Sequence, residues 1–118
     1  MANFRFAVSG QQLELLTPTK GIADTINANT AYFDFRTEDW SDVTKWAHFY
    51  NPMYNNGAPY NFQLVDDEIP ATAGLNLQVG VWEVYLHGDK TVGGTVTKRL
   101  ITETQTIRVV ESNPIGTT

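Results

Sequence analysis

Between Gly80 and Gly88 the chain reads GVWEVYLHG, a run in which apolar and polar side chains alternate almost residue by residue. That period of two places Trp82, Val84 and Leu86 on one face of an extended strand and Glu83, Tyr85 and His87 on the other. The segment is therefore a half-buried β-strand with Trp82, Val84 and Leu86 in a core, and Trp82 is a core residue before it is anything else. Two other segments have the same character. In residues 30–36, Ala31, Phe33 and Phe35 share a face opposite Tyr32, Asp34 and Arg36. In residues 43–50, Lys45, Ala47 and Phe49 oppose Trp46, His48 and Tyr50, so both faces carry aromatics, and Trp46 reads either as core or as surface.

Turn chemistry separates these runs. Phe4, Phe6 and Val8 alternate ahead of Ser9-Gly10, and Leu13, Leu15 and Leu16 follow, which predicts an opening hairpin or a strand bent at Gly10. Residues 17–21, TPTKG, break the pattern, and a strand resumes at Ile22. Residues 51–61, NPMYNNGAPYN, are the longest loop signal. The Asn56-Gly57 pair within them predicts a type I′ hairpin joining residues 43–50 to residues 60–65, with Phe62 and Leu64 inward. Asp66-Asp67-Glu68 then closes the strand as a charged turn that protects an edge. Residues 88–94 predict a second hairpin loop, after which residues 95–102 and 103–111 are extended and β-branched, with Ile107 and Val109 on one face.

No segment sustains a helical period, and no internal repeat occurs. Short strands at intervals of roughly ten residues predict an all-β fold, an antiparallel β-sandwich of seven to nine strands over residues 1–111, with a linker-like tail at 112–118. A closed barrel is the alternative. The stretch Leu77–Leu86 resembles the penultimate strand of immunoglobulin-like and fibronectin-type modules, and the lack of cysteine points to their disulfide-free relatives.

Composition narrows the function classes. A chain of 118 residues is one domain, large enough to bury a core without a staple. The absence of cysteine removes disulfide scaffolds, thiolate zinc sites and cysteine nucleophiles. A net charge of −5 with scattered Lys and Arg argues against a nucleic-acid partner, whose phosphates require clustered cations. No apolar run is long enough for a membrane span, and the N-terminus MANFRFAVSG lacks a signal-peptide core, so the expectation is assembly in the cytoplasm.

No catalytic, cofactor or metal constellation stands out. His48 and His87 lie on separate strands with no triad or His-x-His spacing; a functional pair would require those strands to be adjacent with both rings on one face. Glu38, Asp39 and Asp42 lack the regular spacing and glycine of a calcium loop, so a solvated turn explains them better. Aromatics carry more promise. Trp40, Tyr50, Tyr54 and Tyr60 are concentrated in and around an Asn- and Pro-rich loop, the composition of surfaces that stack on sugar rings or anchor protein contacts.

Three pieces taken together, residues 23–35, Lys45-Trp46-Ala47-His48-Phe49, and residues 77–88 ending in GVWEVYLHG, resemble the N-terminal immunoglobulin-like module of baseplate and tail-fibre proteins from phages and prophages of Gram-positive bacteria. The upper baseplate proteins of phages infecting lactic acid bacteria belong to that group. The resemblance implies a non-enzymatic virion component, assembled in the bacterial cytoplasm, that attaches to other tail or baseplate proteins and is often trimeric. It supplies no catalytic residues, and the tail SNPIGTT is where a longer polypeptide would continue. A carbohydrate-binding domain recognising host cell-wall glycans through the loop aromatics is the alternative.

Overall fold

The computed structural model describes residues 3–17, 20–23 and 29–111, so the tail at 112–118, the centre of the 17–21 break and part of the 23–35 stretch lie outside the described residues. Within them run ten strands: β1 Asn3–Ser9, β2 Gln12–Thr17, β3 Lys20–Ile22, β4 Thr30–Phe35, β5 Thr44–Tyr50, β6 Tyr60–Gln63, β7 Glu68–Ile69, β8 Gly80–Val92, β9 Thr95–Ile101 and β10 Gln105–Val110. They form a sandwich of two sheets. One has four strands in the order β2-β1-β4-β7; the other has six, with β3-β10-β8-β5-β6 side by side and β9 paired to β8. β10 and β9 share one edge of β8 in succession, β10 along residues 80–84 and β9 along residues 87–92.

The alternation in each strand builds the core. Phe4, Phe6, Val8, Ala31 and Phe33 turn inward from the four-stranded sheet, and Ala47, Phe49, Trp82, Val84, Leu86, Ile107 and Val109 from the other. Phe6 and Phe33, paired across β1 and β4, stack with ring centroids 4.9 Å apart. The larger of these side chains contribute about 1.5–3 kcal/mol each on burial, so this shared layer sets the strength of the sandwich.

The sandwich and its strand faces follow the sequence pattern, while three details differ. The sheets are mixed rather than wholly antiparallel: β1 runs parallel to β4, and β3 parallel to β10. The opening hairpin fills one edge with β2, so the chain passes to the other sheet as β3 and re-enters on the far side of β1 in the same direction. The short strands β3 and β7 bring the total to ten.

The second difference concerns Asn56-Gly57. β5 and β6 pair as expected, Ala47 opposite Phe62 and Phe49 opposite Tyr60, but the connection spans residues 51–59 and holds a 3₁₀ turn at Asn55–Gly57. The loop is drawn over the sheet end because the Tyr54 ring lies against Trp82 and the Asn55 amide donates to the carbonyls of Ala58 and Pro59. The two-residue turn with two positive φ angles is instead Asp66-Asp67, at 52° and 61°, where Val65 and Glu68 exchange backbone bonds of 2.9 and 3.1 Å.

The third concerns residues 88–94, which are not all loop. β8 continues to Val92, and the turn is Gly93-Gly94, both with positive φ. Gly88 is a strand residue whose missing side chain leaves room for the core: a Cβ there would lie 2.6 Å from Val43 Cγ2 and 3.0 Å from Trp40 Cζ3. Beyond it, Lys90 and Lys98 both reach Asp42, at 3.2 and 2.9 Å, and pin the root of the β8–β9 ribbon to the body.

Replacing Gly88 with alanine is expected to lower the unfolding free energy by about 1–3 kcal/mol. Adding Val43→Ala should recover part of that loss, because it removes the methyl groups with which the new Cβ collides. Urea melts of the two variants check this; equal midpoints for wild type and Gly88→Ala would show that the strand tolerates a side chain here.

Candidate functional site

β5 and β8 are adjacent and antiparallel at the centre of the six-stranded sheet. Their register pairs Ala47 with Leu86 and Phe49 with Val84 on the core side, and it leaves Trp46 opposite His87, His48 opposite Tyr85 and Tyr50 opposite Glu83 on the outer side. β6 adds Gln63 beside Trp46 and Asn61 beside His48; β9 adds Ile101 beside His87 and Arg99 beside Asp89; β10 adds Thr106 and Arg108. The result is a flat face with an aromatic centre and a polar border. Val81, 57% exposed, and Ile101, 50% exposed, extend its apolar area.

The two histidines meet at its middle. His48 Nε2 lies 2.6 Å from His87 Nδ1, so one proton is held between them. Their ring planes are 9° apart with centroids at 4.8 Å. Two rings stacked face to face would have to be separated by more than the observed nitrogen contact, so the imidazoles meet edge to edge in a common plane. At the far side of His48, Nδ1 is 2.5 Å from Asn61 Oδ1. At the far side of His87, Nε2 is 3.3 Å from Asp89 Oδ2, and the other oxygen of Asp89 accepts from Arg99 Nε at 2.7 Å. Tyr85 lies over His48 with centroids at 4.8 Å. A polar line of Asn61, His48, His87, Asp89 and Arg99 therefore crosses four strands.

Burial and charge tune this line. His48 is 8% exposed, and burial is the main cause that lowers its pKa below the ordinary imidazole value; the bond to Asn61 opposes this and the nearby His87 adds to it. The Arg99 hydrogen bond holds the Asp89 carboxyl below its usual range and raises Arg99 in turn.

The loop aromatics are placed differently from expectation. Trp40 is wholly buried at 0% exposure and its Nε1 donates to the Gly10 carbonyl at 2.8 Å, so it is a core plug and offers no surface. The alternation rule does not reach it because it sits in the 3₁₀ turn Glu38–Trp40, not in a strand. Tyr54 stacks on Trp82 with planes 7° apart, and its hydroxyl donates to the Val79 carbonyl. Tyr60 also packs on Trp82, centroids 5.8 Å apart and planes tilted by 34°. Of the four, Tyr50 alone joins the outer face. Trp46, Tyr85, Asn61, Asp89 and Arg99 complete it; alternation marks the outward positions of β5 and β8, while their neighbours depend on strand adjacency.

The acidic residues are engaged elsewhere. Asp42 takes both Lys90 and Lys98, whose hydrogen bonds lower its pKa, Asp39 accepts from the Thr37 hydroxyl, and Asp67 pairs with Lys45 at 2.9 Å. Among the described residues, no group of three or more His, Asp or Glu is placed to hold a metal ion. No helix among them is long and apolar enough to cross a membrane.

No protein-family model matches the chain, and no curated protein matches it.

A histidine whose pKa is lowered on folding binds its proton more readily when unfolded, so its contribution is full above the ordinary histidine pKa near 6.5. It is lost as pH falls from there through the folded pKa of His48. Unfolding free energy is expected to fall between pH 7.5 and pH 5, and His48→Gln should flatten that slope in urea melts across this range. An unchanged slope in the variant would locate the dependence elsewhere.

Proposed function

We propose that this chain is a non-catalytic assembly module that docks another protein through the outer face of its six-stranded sheet. The observation that carries the proposal is the face itself. Trp46, His48, Tyr50 and Tyr85 sit side by side on the two central strands, ringed by Asn61, Gln63, Glu83, Arg99 and Arg108. Protein interfaces concentrate their energy in such rigid aromatic centres with polar rims, and tryptophan, tyrosine and arginine dominate them. The sequence resemblance supplies the setting: a phage or prophage tail, with another baseplate or tail-fibre protein, or further copies of this chain in a trimer, as the partner.

A glycan-binding reading survives on the same face. Because Trp40 is buried and Tyr54 and Tyr60 lie against Trp82, the sugar platform would be Trp46 and Tyr85 rather than the loop. Cell-wall glycan binding would then be insensitive to salt and lost in Trp46→Ala.

Docking is measured by light scattering on the purified chain, and by capture of the products of adjoining genes after co-expression. Trp46→Ala is expected to weaken the association by about 2 kcal/mol, roughly thirtyfold in Kd, while leaving the urea midpoint near wild type. A monomeric mass at every concentration together with no captured neighbour would overturn the assembly reading. A glycan titration with no binding removes the second.

A further inference from the structure

Asn56 is the one asparagine of the chain that a glycine follows. Such a pair carries its own chemistry. The backbone nitrogen of Gly57 attacks the side-chain carbonyl carbon of Asn56 and closes a five-membered succinimide; the C–N bond of the side-chain amide breaks, and ammonia leaves with the proton that the attacking nitrogen gives up. Water then opens the ring at one carbonyl or the other. One opening leaves aspartate at position 56, and the other leaves isoaspartate, in which the main chain runs through Cβ and is one carbon longer. Either product adds a negative charge to the chain's −5. Glycine favours the attack because it puts no Cβ beside the nitrogen, and Asn56 and Gly57 are both exposed.

The fold opposes this reaction. Ring closure requires the Gly57 nitrogen to lie on the same side of the Asn56 Cα–C bond as Cβ, whereas at φ 54° and ψ 31° it points nearly opposite. The nitrogen is also engaged: Gly57 N–H donates to the Tyr54 carbonyl at 3.1 Å, and Ala58 N–H to the Asn55 carbonyl at 3.0 Å. Turning Asn56 into the reactive conformation breaks both bonds. The turn is itself anchored. Tyr54 stacks on Trp82 with centroids 5.4 Å apart, its hydroxyl donates to the Val79 carbonyl at 2.7 Å, and Asn55 Nδ2 donates to the carbonyls of Ala58 and Pro59. Reaction therefore waits on a local opening that lifts Tyr54 from Trp82.

We propose that Asn56-Gly57 is a self-modification site latched by the Tyr54–Trp82 stack: closed while the ring is seated, and converted by its own backbone to aspartate or isoaspartate once the loop opens. Water is the co-reactant, and the docking face plays no part. The two products differ in consequence. Aspartate keeps the length of the chain and tolerates left-handed backbone, so the turn re-forms. Isoaspartate inserts a carbon within the turn, so the bonds from Gly57 to Tyr54 and from Ala58 to Asn55 cannot both return in register, and the Tyr54 ring loses its seat. Trp82, 1% exposed beneath that ring, is then left uncovered. A loop that opens for long enough is thereby kept open.

The test follows deamidation of the full chain at mildly alkaline pH by peptide mapping and ammonia release, with the same chain in guanidinium chloride as the unprotected reference. The folded wild type is expected to react more slowly than the reference by about tenfold or more. Tyr54→Ala removes the stack and should raise the folded rate about tenfold. Tyr54→Phe keeps the ring but not the bond to Val79, and should raise it about threefold. A folded wild type that reacts at the unprotected rate overturns the latch, as does a folded Tyr54→Ala that reacts at the wild-type rate; where Tyr54→Ala does not hold its fold, an unchanged rate in Tyr54→Phe overturns it instead. Acrylamide quenching of tryptophan fluorescence reads the consequence. The isoaspartyl chain, separated by chromatography, should be more quenchable than the unmodified chain and than Asn56→Asp, which carries the charge without the added carbon. Equal quenching in all three overturns the uncovering of Trp82.

Discussion

The pairing of β5 with β8 is the contact on which the rest of the molecule depends. Its register decides in one stroke what enters the core and what faces out. Ala47, Phe49, Val84 and Leu86 meet the opposite sheet because Trp46, His48, Tyr85 and His87 do not. A slip of β5 by one residue would turn that strand over, aiming Trp46, His48 and Tyr50 at the core and Ala47 and Phe49 outward, and the loss of that apolar packing is larger than a polar contact could offset. The hydrogen-bonded histidines are therefore a by-product of core packing as regards their position, and a separate matter as regards their chemistry.

The strands themselves were legible because alternation is a local property. The inward set of β8, and both faces of β5, can be read from the chain without knowing any partner. What could not be read was adjacency. Nothing in residues 43–50 or 80–88 announces that these strands are neighbours, or that the stagger puts His48 beside His87 rather than a strand away. The turns failed for a related reason. Asn56-Gly57 carries the stronger hairpin signature, yet the stacking of Tyr54 on Trp82 claims the loop, and the tight turn falls to Asp66-Asp67, whose side chains advertise it less. Tertiary contact overrode local preference in both places.

Trp40 shows the same limit from the other side. Two acids before it and a serine after it describe a surface turn, and the turn is indeed at the surface. Its indole, however, is folded under by the Gly10 carbonyl and rests against Phe35, at a centroid distance of 5.3 Å. The Gly10 amide donates to the Thr37 hydroxyl at 2.8 Å, which ties the two turns together. An aromatic residue in a polar loop is thus weak grounds for exposure: the apolar area of one indole outweighs the polarity of its neighbours when the end of a sandwich is open.

Gly88 ties these parts into one mechanical unit. On its inner side, Trp40 and Val43 press close enough that a methyl group would collide with them, so the end of the core is closed against bare backbone. On the outer side of the same strand, the flanking residues are His87 and Asp89, the two that carry the polar line from the rings to Arg99. Displacing β8 at this point to make room for a side chain would move both of them relative to His48 on β5. A glycine that looks like the start of a loop is therefore the point on β8 where the core closes against Trp40 and Val43 while its two neighbours, His87 and Asp89, face out into the polar line.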